Sequence, residues 1–393
     1  MTKKQAILKR PPQGSLRYGH SWVYRNQLKE ISADAEPGEI LSIMTESGKF
    51  MGKAYWNPKS QISMRILTRR EETVDEVFFR ARFEKALDFR KKTVTDTNAF
   101  RVISSEADDL PGLIVDRYAD VLVAQFLTLG MEKNKALIVP ALQEVFPDCG
   151  IFERSDASSR EMEGLKESVG WIEKKCAGET LIHEKDVEFA MRFGEGHKTG
   201  WYLDQRENRF LLRGMVTPDE EILDVFCYEG GFSLQFAKAG ARVLAIDSQK
   251  DVISRAEEHR TRNKISPEAL HFEVANAFEK LKELEKSGRK FDWIVLDPPS
   301  FVKQKSALSG ALSGYKELLL RAFKMLKPEG KLAVFSCAYY LDDHFLMQVS
   351  MAAAQDAKRL IKILKFMKQA SDHPINPFIP ETYYLKGYLF QVS

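Results

Sequence analysis

The chain has 393 residues, 44% hydrophobic and 29% charged, and its 59 basic and 56 acidic side chains leave a net charge of +3. That length supplies two or three domains and a large buried core, and the composition excludes a fibrous or disordered protein while neither demanding nor excluding nucleic acid. No apolar run is long enough to span a bilayer, MTKKQAILKR reads as no secretory signal, and four cysteines without a C-x-x-C pair argue against a zinc knuckle or a disulfide framework; the expectation is a cytoplasmic chain that binds neither membrane nor metal.

Residues 1–70 read as a small β-rich module, with turn signals at Gln13-Gly14, Pro37-Gly38, Ser47-Gly48 and Asn57-Pro58 between strand-like runs such as Glu39–Met44 and Ile62–Leu67. Its first 29 residues hold seven Lys/Arg and no acid, with Tyr18, His20, Trp22 and Tyr24 alternating among them. Basic groups for phosphates and aromatic faces for bases make Arg17, His20 and Trp22 candidates for RNA contact; the alternative is a solvated strand edge. From Glu71 to about Lys92, Val74, Val77, Phe78 and Ala81 recur at helical spacing. Residues 71–190 otherwise mix strands, such as Val121–Leu127, with helical and polar stretches, and form a central α+β segment. The loop-like GEGHKTG (Gly194–Gly200) opens the last domain, expected over 191–393.

In that domain strands and helices alternate. Expected strands are Ile222–Phe226, Arg242–Ile246, His271–Val274, Trp293–Leu296, Lys331–Phe335, Leu360–Phe366 and Tyr384–Val392, with helices such as Val252–Asn263 and Tyr315–Leu326 between them. This alternation predicts right-handed βαβ units and a largely parallel sheet, and Lys327-Pro328-Glu329-Gly330 reads as the turn ending the second helix. The proline-rich loop His373–Pro380 leaves room for the last strand to run antiparallel.

Ligands bind such sheets beyond the carboxyl ends of the strands. After the first strand, Cys227-Tyr228-Glu229-Gly230-Gly231 sets two glycines before a helix, where backbone can approach a ligand closely. Asp224 and Phe226 end that strand, and Asp247 ends the second, placed to accept a ribose. Asn276-Ala277-Phe278 follows the third and offers an amide or an aromatic to an adenine. The absence of G-x-G-x-x-G points away from a dinucleotide and toward S-adenosylmethionine. Taken singly, Asp247 is equally a helix cap and Gly230-Gly231 an ordinary tight turn. Ordered along successive strands, they are more specific.

The fourth strand ends in Asp297-Pro298-Pro299, two residues without an N–H, which stop the strand and leave its carboxylate at the open edge. About 40 residues later the next strand delivers Ser336-Cys337 to the same edge. A carboxylate and a thiol at neighbouring strand ends form a catalytic pair suited to modifying a base. Buried cysteines are common core residues, which fits Cys227 as structural or cofactor-adjacent; Cys337 lies past its strand end. Lys303 and Lys305 either meet RNA phosphate or solvate a loop, and His344 and His373 read as structural.

These motifs resemble, over nearly the whole chain, the PUA-domain class I methyltransferases of the RlmI type, which form 5-methylcytosine in large-subunit ribosomal RNA. GHSWVYRNQL (Gly19–Leu28), PGEILSI (Pro37–Ile43) and GKAYWNPKSQISMRIL (Gly52–Leu67) resemble the PUA module; GEGHKTGWYLDQRENR (Gly194–Arg209), DVFCYEGGFS (Asp224–Ser233), NAF (Asn276–Phe278), LDPPSF (Leu296–Phe301), FSCAYY (Phe335–Tyr340) and ETYYLKG (Glu381–Gly387) follow the methyltransferase motifs in order. The resemblance implies a Rossmann-like α/β fold with a seven-stranded sheet whose last strand is antiparallel, behind an N-terminal β-rich PUA domain and a central α+β domain. It further implies S-adenosylmethionine as donor, ribosomal RNA as substrate and Cys337 as nucleophile, with Asp297 holding the base. The candidate cofactor contacts are Gln205, Arg206, Asp224, Phe226, Tyr228, Gly230, Gly231, Asp247, Asn276, Ala277, Phe278, Asp297 and Pro298. Glu229, where many members carry a small residue such as Thr, and Ala338, where Ser often follows the cysteine, depart from the pattern. Two other readings stand beside this one: an exocyclic-amine RNA methyltransferase, disfavoured because Ser300 separates Pro299 from the aromatic Phe301, and a non-catalytic RNA-binding assembly factor. A homodimer is compatible with the sequence, which leaves association open.

Overall fold

Short apolar runs alternating with amphipathic helices build the part of the chain that carries the site. The computed structural model describes residues 4–12, 14–173, 179–194, 199–301 and 305–393. In the C-terminal part the strands are β1 (Glu221–Val225), β2 (Arg242–Asp247), β3 (Leu270–Val274), β4 (Phe291–Leu296), β5 (Leu326–Ser336), β6 (Ile361–Lys368) and β7 (Lys386–Val392). They form one seven-stranded sheet in the order β3-β2-β1-β4-β5-β7-β6. Neighbours from β3 to β5 pair in parallel, and β7 runs antiparallel to both β5 and β6. The chain order reverses at β1 and β4, the point where open α/β sheets hold their ligands.

The helices are α1 (Arg206–Arg213), α2 (Gly231–Lys238), α3 (Lys250–Arg262), α4 (Ala277–Lys286), α5 (Leu308–Met325) and α6 (Asp343–Asp356). Side chains alternate along each strand, so Val225, Ile294, Val334 and Phe390 share one core with Leu281, Leu318, Phe323 and Leu346 of α4, α5 and α6. Phe335, one residue on from Val334, takes the opposite face and stacks on Phe232 of α2 at 5.6 Å. The central strands are buried on both sides and therefore read as unbroken apolar runs.

Contacts divide the chain into two units: Met1–Glu184 with Ala190–Leu203 and Ser371–Tyr383, and Lys185–Phe189 with Asp204–Ala370 and Tyr384–Ser393. The first unit holds two sheets. One has six strands, in the order Trp22–Val23, Met64–Thr68, Phe50–Trp56, Ile40–Met44, Gln5–Leu8, Leu28–Ile31. The other has five, in the order Ser168–Glu173, Gly150–Ser155, Val121–Phe126, Leu113–Tyr118, Ala99–Ser104. Each sheet has its own core, and helix Glu76–Thr93 packs into that of the second.

Several boundaries differ from the sequence reading, among them the start of α5, which lies at Leu308 and not Tyr315, and two of the differences have a clear local reason. The helix expected from Glu71 starts at Glu76, because the Asp75 carboxylate accepts the Phe78 N–H and caps it there. The KPEG turn after α5 lies inside β5: Phe291 pairs with Leu326 and Trp293 with Lys331, so the intervening residues bulge out, with Glu329 at φ 61°, and pairing resumes.

Gly387 of β7 sits opposite Phe335, where an added Cβ would lie 2.5 Å from the ring carbon Cδ1. Glycine to alanine normally stabilises a strand interior. Here Gly387→Ala is expected to destabilise the C-terminal unit by about 1–3 kcal/mol, through displacement of Phe335 and overpacking. Calorimetry of the purified variant gives the sign.

Candidate active site

The parallel register brings the expected residues to one edge. Leu296 pairs with Val225 on one side and Val334 on the other, so Asp297 follows the end of β4 while Cys337 follows the end of β5. Cys337 is exposed, whereas Cys149 and Cys227 are buried; Cys176 lies outside the described residues. Burial pushes the Cys227 thiol well above its usual range, which suits a packing residue and not a nucleophile.

Asp297 is half-buried, and its Oδ2 accepts a hydrogen bond from Gln205 Nε2 at 3.0 Å. Gln205 is in turn fixed by Asn208, whose Nδ2 donates to Gln205 Oε1 at 2.6 Å and to the Lys368 carbonyl at 3.0 Å. Gln205 thus orients the carboxylate of the DPP segment, a role its place in the sequence did not disclose. Arg206, next along, is buried at the start of α1 with its guanidinium 3.8 Å from Glu207.

The loop from β1 to α2 carries the second cluster. Asp224 is 1% exposed; its Oδ2 accepts the Ser233 hydroxyl, while its buried Oδ1 has no hydrogen-bond partner among the described residues. Burial raises its pKa to about 7. Phe226 and Tyr228 both adopt positive φ, 66° and 50°, and Gly230 follows at 86°. Left-handed geometry at non-glycine residues costs roughly 1–3 kcal/mol each and collects at ligand sites. At Gly230 the φ and the space both demand glycine, since a Cβ would lie 2.8 Å from the Phe272 ring. Gly231 opens α2.

Asp247 ends β2 and takes the Tyr228 and Gln249 N–H groups at 3.1 Å, one on each oxygen. Each oxygen has a second lone pair for a hydroxyl donor. Asn276 is exposed, and its Oδ1 caps α4 by accepting from Phe278 and Glu279, so its Nδ2 donors are what remain for a ligand. Ala277 and Pro298 are buried. Phe226 and Phe278 contact Phe301, at 6.5 and 6.4 Å between rings, and Phe301 meets Tyr315 at 5.5 Å. Phe301 is therefore one of four clustered aromatics.

Glu229 is buried, and its carboxylate receives Arg255 Nε from α3 at 2.6 Å, while its carbonyl lies 3.2 Å from His259 Nδ1. The acid that departs from the family pattern is thus matched by an arginine 26 positions away, a pairing that no local spacing signals.

The RNA-facing residues read from the N-terminal module divide. Arg17 is exposed, as is Tyr18 at 65%. His20 is 5% exposed with Nε2 3.2 Å from Glu381, and Trp22 donates its indole N–H to Glu106 at 2.9 Å. His20 makes its contact from a buried position, while the Trp22 ring is half-buried; the RNA contact expected of the two stays a proposal. Strand alternation was legible; which face met the protein was not. Lys303 lies outside the described residues. A cleft of about 840 Å³ in the first unit includes Arg69, Arg82, Glu106 and Asp109, but Arg82 pairs with Asp109 and Arg69 is held by the His20 carbonyl.

A PUA-like domain family model matches residues 7–69, and a methyltransferase domain model matches residues 217–375. Over the full length the fold is similar to SMU.776, described as a methyltransferase complexed with SAH, at 20% identity and TM-score 0.82 covering 100% of both chains. A SAM-dependent methyltransferase structure from Streptococcus mutans matches with TM-score 0.81 at 19% identity, covering 98% of this chain and 99% of that one. With the strand order above, this makes the C-terminal part a class I methyltransferase fold behind an N-terminal PUA-like domain. In sequence, the chain is 38% identical over 386 residues to ribosomal RNA large subunit methyltransferase I of Tolumonas auensis, 97% of each chain, and 38% identical over 391 residues to that of Shewanella frigidimarina, 98% of each. The chain belongs to the ribosomal RNA large subunit methyltransferase I family.

The buried Asp224 carboxyl gives a stability prediction. Its pKa rises from an ordinary 3.8 to about 7 on folding, so the folded state binds the proton more tightly. Stability therefore falls as pH rises from about 4 to about 7, and the full penalty persists above that window. Asp224→Asn, which keeps an acceptor for Ser233, should melt higher than wild type at pH 8 and lose that advantage at pH 4. Scanning calorimetry at the two pH values measures the difference.

Proposed function

We propose that this chain transfers a methyl group from S-adenosylmethionine to carbon 5 of a cytosine in large-subunit ribosomal RNA, with the Cys337 thiolate activating the ring. The observation that carries this reading is the exposed thiol at the end of β5, one strand from the carboxylate at the end of β4. The family relatives are named for large-subunit ribosomal RNA methylation, which supports the substrate class.

The residues present fit the cofactor. The Asp224 oxygen without a partner among the described residues offers an acceptor, the Gly230 turn offers a cradle that a Cβ would fill, and Asp247 suits a ribose. Asn276 Nδ2 and Phe278 are the groups for an adenine, and Phe226 and Tyr228 shape the loop between. When bound, S-adenosylmethionine supplies an electrophilic methyl group on a sulfonium.

Carbon 5 of cytosine is a poor nucleophile. The Cys337 thiolate forms a bond to C6, and the C5=C6 electron pair moves to C5, which can then accept the methyl. A base takes the C5 proton, that electron pair restores the double bond, and the C6–S bond breaks to return the thiolate. Asp297, held by Gln205, binds the N3/N4 edge of the ring, favouring its protonated form. The base must leave its stack to reach these groups. Arg17 and Tyr18 are among the exposed groups of the N-terminal module suited to phosphate and base, and the cytoplasm is the compartment where such RNA is met. The exocyclic-amine reading is less well supported, because Phe301 is packed among Phe226, Phe278 and Tyr315.

The test uses ribosomal RNA containing 5-fluorocytidine, whose fluorine blocks the final elimination. Wild type with S-adenosylmethionine should form a covalent RNA adduct, seen by mass spectrometry, and Cys337→Ala should form none. Normal methylation of ordinary RNA by Cys337→Ala would refute the mechanism.

A further inference from the structure

The ETYYLKG segment carries a lysine at the start of an otherwise apolar strand. Lys386 opens β7 directly opposite Ser336, the last residue of β5, and is 3% exposed. Its Nζ donates to the carbonyl of Ala338 at 3.1 Å and to that of Tyr384 at 3.2 Å. The Ala338 carbonyl lies one residue beyond Cys337. On the other flank, the buried Tyr315 hydroxyl donates to the Phe335 carbonyl at 3.2 Å, and the Ala338 N–H reaches Ser336 Oγ at 3.3 Å. The turn bearing the thiol is thus pinned on both sides by buried side chains, while the thiol itself stays exposed.

We propose that Lys386 is a positioning residue for Cys337: its buried ammonium fixes the turn and supplies the positive charge that favours the thiolate. The inference rests on the reading of Cys337 as nucleophile and deepens it. Thiols next to a lysine ionise more readily, and a charge buried in low dielectric is screened little by water. Burial lowers the pKa of Lys386, while Asp343, Cys337 and Asp342 act to keep it charged. Among the described residues the turn also meets Asp297 beyond β4, Tyr315 of α5, whose hydroxyl burial holds protonated, Tyr388 of β7, bonded to the Asp343 carbonyl, and the exposed Tyr339 and Tyr340 of the turn itself. No tyrosine competes as a cation. A leucine or methionine would serve packing at 386 equally well; a buried carbonyl, a part-buried one and a neighbouring thiol are what a lysine serves.

The measurement is the rate of iodoacetamide alkylation of the Cys337 peptide, read by mass spectrometry in the full-length protein from about pH 6 to about pH 10. In wild type the midpoint should lie below the ~8.5 of a free cysteine. In Lys386→Met it should rise by about one pH unit, and Lys386→Arg, which keeps the charge, should stay near wild type. Single-turnover methylation by Lys386→Met should fall about tenfold near neutral pH and recover toward higher pH. A wild-type midpoint at or above ~8.5 would overturn the proposal without any variant, so misfolding of Lys386→Met leaves it decidable. An unchanged midpoint in folded Lys386→Met would overturn it as well. Alkylation needs no RNA, so a failure of the cytosine chemistry is seen separately, in the fluorocytidine adduct.

Discussion

The parallel pairing of β4 with β1 on one side and β5 on the other is the constraint on which the site depends. Because Leu296 is level with both Val225 and Val334, the three strands reach one edge together, and the groups just beyond them meet without any local sequence relation. A one-residue slip would turn every side chain of a strand to the other face. That slip is resisted by the two-sided burial of Ile294, Val295 and Leu296, whose side chains join cores on both faces of the sheet. On the far side of β5, the antiparallel pairing with β7 sets Gly387 under Phe335 and Lys386 beside Ser336. The turn that bears the thiol is thereby held from β7.

The electrostatics of the edge follow from the same arrangement. Of the carboxylates that reach it, Asp224 and Asp297 lie in contrasting surroundings. Asp224 is sealed in, with one oxygen lacking a partner among the described residues and its pKa held up toward neutral pH by burial. Asp297 is half-exposed and oriented by Gln205. A buried acceptor suits a cationic or donor group of a small ligand, whereas a half-exposed, oriented acceptor suits a base arriving from solvent. The strained residues Phe226 and Tyr228 lie between the ends of β1 and α2, where backbone strain is expected to mark ligand contact.

Much of this was legible in the sequence, because apolar runs of strand length, Gly-Gly before a helix and Pro-Pro after a strand are local signals. The succession of strands along the chain and the strand-end positions of Asp247, Asp297 and Cys337 needed nothing more, whereas the antiparallel last strand came with the family resemblance. What stayed hidden was pairwise and distant. Glu229 with Arg255, Gln205 with Asp297 and Lys386 with the turn after β5 join residues 26, 92 and 48 positions apart, and no periodicity encodes them. The partners of His20 and Trp22 were hidden for a different reason: alternation places aromatics on one face of a segment but does not disclose that Glu381 and Glu106 bond to them. The KPEG turn shows that a helix-ending signal can also lie within a bulged strand.

The central claim is that a thiol-activated ring carbon, and no amine, receives the methyl group. It is tested most directly by incubating the full-length protein with S-adenosylmethionine and unmodified large-subunit ribosomal RNA, digesting the RNA to nucleosides and separating them by mass spectrometry. The account predicts 5-methylcytidine as the product. N4-methylcytidine or N2-methylguanosine in its place would contradict it and leave Cys337 a surface residue of the turn after β5.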